Sequence, residues 1–249
     1  MRILFVLLLL LISFSACEDT KKTSAEKTET IPETEGGTDA PTETNTATKS
    51  NDDSSKAISE EATKTFPKIT QDNLVSFFTE YGEENPETEV KISTRLGDIY
   101  ISLYEDTPLH RANFIYLVKR GYFSDTFFHR VVPNFIIQGG NSDLASTNKK
   151  RVEIGSGYLL PAEIKGRNHF YGSVSGAKEY RENPDKQTAP FEFFIFLGPQ
   201  SSTSHLNGNY TVFGSVTKGM EVVEKISKLD KDDGEWPLQN VYIKAEVLQ

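Results

Sequence analysis

Cysteine is almost absent from this chain: Cys17 stands alone among 249 residues, so no intrachain disulfide is possible. Long apolar runs are missing too. The run from Ile3 to Ile12 has ten residues, whereas a membrane-spanning helix needs about 20. The four histidines, His110, His129, His169 and His205, lie far apart and lack metal-ligand spacing. No serine sits in a G-x-S-x-G elbow, and Gly155-Ser156-Gly157 reads as a loop. Carboxylates are plentiful, but no pair stands out, so glycosidase chemistry finds no support. A Gly-rich phosphate loop and internal repeats are both missing. Residues 66–249 carry a net charge of about −4, which excludes a basic nucleic-acid footprint.

The first 65 residues differ in composition from the rest. Met1-Arg2, the apolar run and Ser13-Phe14-Ser15-Ala16-Cys17 have the form of an export signal. Cys17, just after Ser15-Ala16, resembles the cysteine of a bacterial lipobox, with Phe14 where leucine is usual. That resemblance implies a signal peptide over 1–17, a lipid anchor on Cys17 and a place in the cell envelope, facing the periplasm or the outside. Residues 18–65 contain no aromatic side chain and hold twelve acidic against six basic residues. Such a segment buries too little apolar surface to offset its ordering entropy and reads as a disordered tether.

Beyond it, the spacing of Leu74, Phe77 and Phe78 predicts a short helix over 69–81, within a lead-in of 66–87. Thr88 to Thr94 alternates, Leu96-Gly97-Asp98 signals a turn, and Ile99, Ile101 and Leu103 alternate again, as in a β-hairpin. Thr107-Pro108 has the form of a helix start with Thr107 as N-cap, and Gly121 of a stop. Further strands are expected over 126–132, 135–138, 172–177, 191–197, 210–216 and 241–247, with a second short helix over 220–229. Residues 141–170 read as polar and turn-rich. Strands dominate residues 88–249, and a closed antiparallel barrel suits them because closure removes exposed edges.

Residues 122–140, YFSDTFFHRVVPNFIIQGG, carry the chemistry. Arg130 lies among Phe127, Phe128, Val131, Val132 and Phe135, with Gln138 close behind. A guanidinium is poor at proton transfer but aims a fixed fork of N–H donors. An arginine, an amide and aromatic walls point to catalysis by orientation and hydrogen bonding without a covalent intermediate. His129 is expected to be structural, hydrogen-bonded in the barrel, because strand neighbours point to opposite faces.

The run F-F-H-R-V-V-P-N-F-I-I-Q-G-G closely resembles the signature of the cyclophilins, the barrel-type peptidyl-prolyl cis–trans isomerases. Gly172 to Ala177, Phe193-Phe194-Ile195 and Leu206 to Gly214 are similar to further segments of that family. The resemblance implies a mainly β fold, a closed eight-stranded antiparallel barrel capped by two short α-helices over 88–249, working as a monomer on proline-containing polypeptides without cofactor or metal. It implies that Arg130 is the catalytic donor and that Gln138 holds the peptide and braces the arginine. Phe135, Ile136, Phe194 and Leu206 match the proline pocket, and Ala177 the site of the preceding residue.

The physics of the reaction agrees. Amide resonance sets a barrier of roughly 18–20 kcal/mol to rotation. Twisting the bond frees the nitrogen lone pair, so a donor aimed at it binds the transition state better than either planar isomer. Three positions depart from the family pattern. Glu192 replaces a glutamine and is expected to face the groove as a substrate-binding residue, either pairing with Arg130 or favouring a different substrate. His205 stands where some members have tryptophan, and Tyr210 where many have histidine. The loop Lys178 to Pro190 is longer than in compact members. The chain is therefore expected to assist folding of exported or envelope proteins. A rival reading is a proline-peptide-binding or chaperone module without turnover, and a third is a surface adhesion lipoprotein.

Overall fold

The computed structural model describes residues 65–179 and 182–248. The expected signal peptide, Cys17 and nearly all of the tether lie outside the described residues. Eight strands form one sheet: β1 (Glu89–Thr94), β2 (Gly97–Leu103), β3 (Phe127–Val132), β4 (Ile136–Asn141), β5 (Ser173–Gly176), β6 (Phe193–Phe196), β7 (Val212–Lys218) and β8 (Lys244–Val247). Every pairing is antiparallel, in the order β3-β4-β6-β5-β7-β2-β1-β8.

The closed barrel expected from the sequence is corrected to a curled half-barrel. The regular ladder has two ends, β3 and β8. They approach through the residues just before β8. An isolated bridge joins Phe127 to Tyr242, Phe128 N donates to Val241 O at 3.1 Å, and Ile243 N donates to Thr126 O at 3.0 Å. The strand expected over 241–247 is therefore shortened to its last four residues.

Four α-helices, not two, accompany the sheet among the described residues: α1 (Leu74–Glu84), α2 (Pro108–Lys119), α3 (Ala145–Ile154) and α4 (Met220–Ser227). α3 falls in the stretch expected to be turn-rich. It buries only Thr147 and Ile154, so its sequence shows little amphipathic pattern. α2 is buried along His110–Val118. Thr107 is its N-cap residue, with its carbonyl accepting from Arg111 N at 2.9 Å, but its hydroxyl donates to Tyr104 O at 3.1 Å and caps no amide. The carboxylate of Glu163, distant in sequence, accepts instead from the amides of Leu109 (3.1 Å) and His110 (2.9 Å). A negative charge there meets both the unpaired N–H groups and the positive end of the helix dipole.

The core lies between the inner sheet face and α2. It contains Val90, Ile92, Ile99, Ile101, Phe128, Val131, Ile137, Val174, Phe193 and Ile195. The lead-in belongs to the same core. α1 contributes Leu74, Phe78 and Tyr81, and Arg111 of α2 donates to the end of α1 at Gly82 O (2.9 Å) and Asn85 O (2.8 Å). A cation there neutralises the negative helix end and satisfies its free carbonyls.

Candidate active site

A second, smaller apolar cluster lies on the other face of the sheet: Ile136, Phe194, Phe196 and Leu206, edged by Val132, Phe135 and Tyr210. Its origin is visible in the register. Along β6, Phe193 and Ile195 enter the core, so Phe194 and Phe196 face outward. Ile136 pairs with Phe196 and Gln138 with Phe194. Arg130 pairs with Gln138, and Val132 with Ile136. Arg130, Gln138 and Phe194 thus form one row across three strands.

A break in β3 puts Arg130 in that row. Phe128 pairs with Gly139 and Arg130 with Gln138, so two steps on β3 oppose one on β4, with His129 the extra residue. Such a bulge re-aims the strand. Phe128 points into the core, and without the bulge Arg130, two residues on, would follow it.

The resulting groove has a volume of about 460 Å³. Arg130, Phe135, Ile136, Gln138, Ala177, Phe194, His205, Leu206 and Tyr210 all line it. The floor is apolar, with Ile136, Phe194 and Leu206 each no more than 4% exposed. Phe135 and the exposed His205 stand over one end, ring centroids 5.6 Å apart. Tyr210 meets Phe194 edge-on at 5.6 Å, and the Lys178 ammonium lies 4.5 Å from the Tyr210 ring.

Glu192 is placed differently from expectation. It does not border the groove and does not pair with Arg130. Its carboxylate sits behind Gln138, accepting from Gln138 Nε2 at 2.9 Å, with Arg151 at 3.4 Å and His129 at 3.5 Å. Burial pushes this carboxyl up, but His129, Arg151 and Gln138 together outweigh it and hold it below the ordinary range. Gln138 is therefore tied to Glu192 rather than bracing Arg130. Arg130 is braced by Glu235, whose Oε2 accepts from Nε at 2.6 Å. His129, expected to be hydrogen-bonded in the barrel, has Nε2 3.5 Å from the Glu192 carboxylate and its ring 5.7 Å from that of Trp236, while its Nδ1 is buried without a hydrogen-bond partner among the described residues.

Comparison with known proteins places the chain in a family. A family model described as cyclophilin type peptidyl-prolyl cis-trans isomerase/CLD matches residues 89–247. The chain belongs to this family. A peptidyl-prolyl cis-trans isomerase of Acinetobacter baylyi is 37% identical over 145 residues, covering 57% of this chain and 73% of the relative. One from Schizosaccharomyces pombe is 36% identical over 163 residues, covering 64% and 98%. A solved Cryptosporidium parvum cyclophilin, crystallised in the presence of the dipeptide Ala-Pro, superposes with a TM-score of 0.54 at 27% identity, covering 65% of this chain and 99% of its own. The molecule is thus a cyclophilin-type isomerase.

Around this cyclophilin groove the structure adds residues that the sequence did not single out. Arg151 of α3 donates from Nε to the Tyr122 hydroxyl (2.8 Å) and from a terminal nitrogen to Gly140 O (3.1 Å), behind Glu192. Burial pushes Tyr122 up to about 12, so its hydroxyl stays a donor to Gly140 O at 2.8 Å. His169 lies parallel to Phe194 beneath the groove. Glu235 comes from the segment before β8. None carries a local signal, because each acts through a partner far away in sequence.

Proposed function

We propose that Arg130 accelerates X-Pro isomerisation by donating a hydrogen bond to the prolyl nitrogen as the bond twists. The observation that carries this reading is the placement of Arg130 beside the apolar floor that Ile136, Phe194 and Leu206 give the groove. Nε is held by Glu235, and among the described residues neither terminal nitrogen has a hydrogen-bond partner. Ile136, Phe135, Phe194 and Leu206 take the proline ring. Ala177 borders the position of the preceding residue, and His205 and Tyr210 form the rim. Gln138 acts as an acceptor in this scheme. A carboxylate only accepts, so Glu192 takes the amide NH₂ and leaves the Gln138 carbonyl for a peptide N–H.

Replacing Arg130 with alanine is expected to lower kcat/KM about a hundredfold, the scale on which one transition-state donor matters. A protease-coupled or NMR-exchange assay on a proline peptide measures it; an unchanged rate would refute the role.

The chain acts, in this proposal, as a monomer at the cell envelope, anchored through lipid on Cys17, with exported or envelope proteins as clients. The order of charge, apolar run and small residues before Cys17 supports it. Radiolabelled palmitate incorporation in a bacterial host is expected to disappear in Cys17→Ser; persistence would remove the anchor.

A further inference from the structure

Arg130 is held by a turn that is built for the purpose. Residues 230–238 fold back on themselves: Leu238 N donates to Asp230 O at 2.8 Å, and Asp232 N to Trp236 O at 2.9 Å. The Asp232 carboxylate fixes the tip, accepting from the amides of Gly234 and Trp236, both at 2.9 Å. At that tip Glu235 has φ of 65°, a left-handed conformation that side chains other than glycine rarely adopt. Such strain persists only where the surroundings impose it, and it concentrates at functional positions.

The conformation sends both ends of Glu235 to β3. Its carbonyl accepts from Val131 N at 2.9 Å, and Lys231 Nζ donates to Val131 O at 2.9 Å, so the turn grips the backbone one residue beyond Arg130. The carboxylate then lies between two cations, Lys231 at 3.6 Å and Arg130 at 2.6 Å. Its contact with Arg130 is at Nε. A carboxylate on Nε fixes the plane of the guanidinium and leaves donors on the two terminal nitrogens. A flexible arginine side chain is thereby ordered before substrate arrives, which lowers the entropic cost of aiming it.

We infer that Glu235 is a positioning residue for catalysis, holding the Arg130 fork toward the prolyl nitrogen; this rests on Arg130 as the donor. Its effect belongs in kcat, because it orders a donor used in the twisted state, while the apolar pocket that sets KM is untouched.

The test compares the full chain with Glu235→Ala, Glu235→Gln and Arg130→Ala, with folding of each checked by circular dichroism. Glu235→Ala is expected to lower kcat about tenfold with KM within about twofold of the parent. Glu235→Gln, which keeps an acceptor but loses the charge, is expected to recover most of that loss. The Arg130 Nε–H resonance is expected to lie downfield and exchange slowly in the parent, to broaden into fast exchange in Glu235→Ala and to return in Glu235→Gln. Parent-like kcat in Glu235→Ala beside a crippled Arg130→Ala would overturn the positioning role alone. A parent-like rate in Arg130→Ala would overturn the donor assignment and the positioning role with it. Equal losses in Glu235→Ala and Glu235→Gln, with KM rising as much as kcat falls, would reduce Glu235 to a structural residue.

Discussion

His169 has no accessible surface and lies nearly parallel to Phe194, ring centroids 5.8 Å apart with 5° between the planes. Asn207 Oδ1 accepts from its backbone N–H at 2.8 Å and faces its Nδ1 at 3.0 Å, so Nδ1 carries the proton. Nε2 then accepts from Ser175 Oγ at 3.0 Å. The imidazole is thus neutral and props the pocket floor from below. Burial lowers its pKa from 6.5, with Asn207 opposing and His205 adding to the depression. The unfolded chain therefore binds the proton more readily than the folded one. The stability that neutral His169 contributes is complete above pH 6.5 and is lost as pH falls through the lower folded value. The slope is at most about 1.4 kcal/mol per pH unit, the value for one proton. Urea unfolding between pH 7.5 and 5 is expected to show this loss, and a His169→Gln variant to show a flatter profile. Parallel profiles would mean that His169 does not titrate with folding.

The legibility of the chain varies most at the level of elements. The β1–β2 hairpin was plain because Val90, Ile92, Ile99, Ile101 and Leu103 obey a period of two around a Gly97 turn. The start of α2 is legible in Thr107-Pro108, but the carboxylate that caps its free amides is not, since Glu163 reaches it from across the chain. α3 was missed for want of an apolar stripe. The groove residues were recovered from the signature as a whole. Alternation alone misplaces Arg130, because Phe128 and Arg130 are two apart and should share a face. The bulge at His129 puts them on opposite faces, and a bulge in mid-strand has no residue code. The partners of the groove followed the same logic. Glu192 stands out as a departure from the family glutamine, but its partners, Gln138, Arg151 and His129, are set by the fold. Nothing near Glu235 announced that its turn would fold onto β3.

Across the whole molecule, the folded unit is larger than the family match. Residues 65–88 precede the matched segment of 89–247, yet Ile69, Leu74, Phe78 and Tyr81 are all at most 3% exposed. Phe66, Phe77 and Tyr81 pack edge-on against Tyr116 of α2, centroids 5.1–5.4 Å apart. Ile69 N also donates to Ile154 O at 2.8 Å, where Gly155 passes so close that a Cβ would stand 2.0 Å from Ile69 O. The Schizosaccharomyces pombe relative, 98% of whose length is matched, has almost no residues to spare for such an addition. Here, then, the lead-in serves stability rather than chemistry, since none of its residues lines the groove. Removing residues 65–88 while keeping what precedes them is expected to lower the urea midpoint sharply. Deletion uncovers Tyr116 and leaves Arg111 without the helix end it neutralises. The protein that remains folded at low temperature is expected to keep kcat within about threefold of the parent, because Arg130 and its pocket are untouched. An unchanged urea midpoint would show that α1 adds nothing to the core. A large fall in kcat in the folded fraction would show that it shapes the groove from a distance.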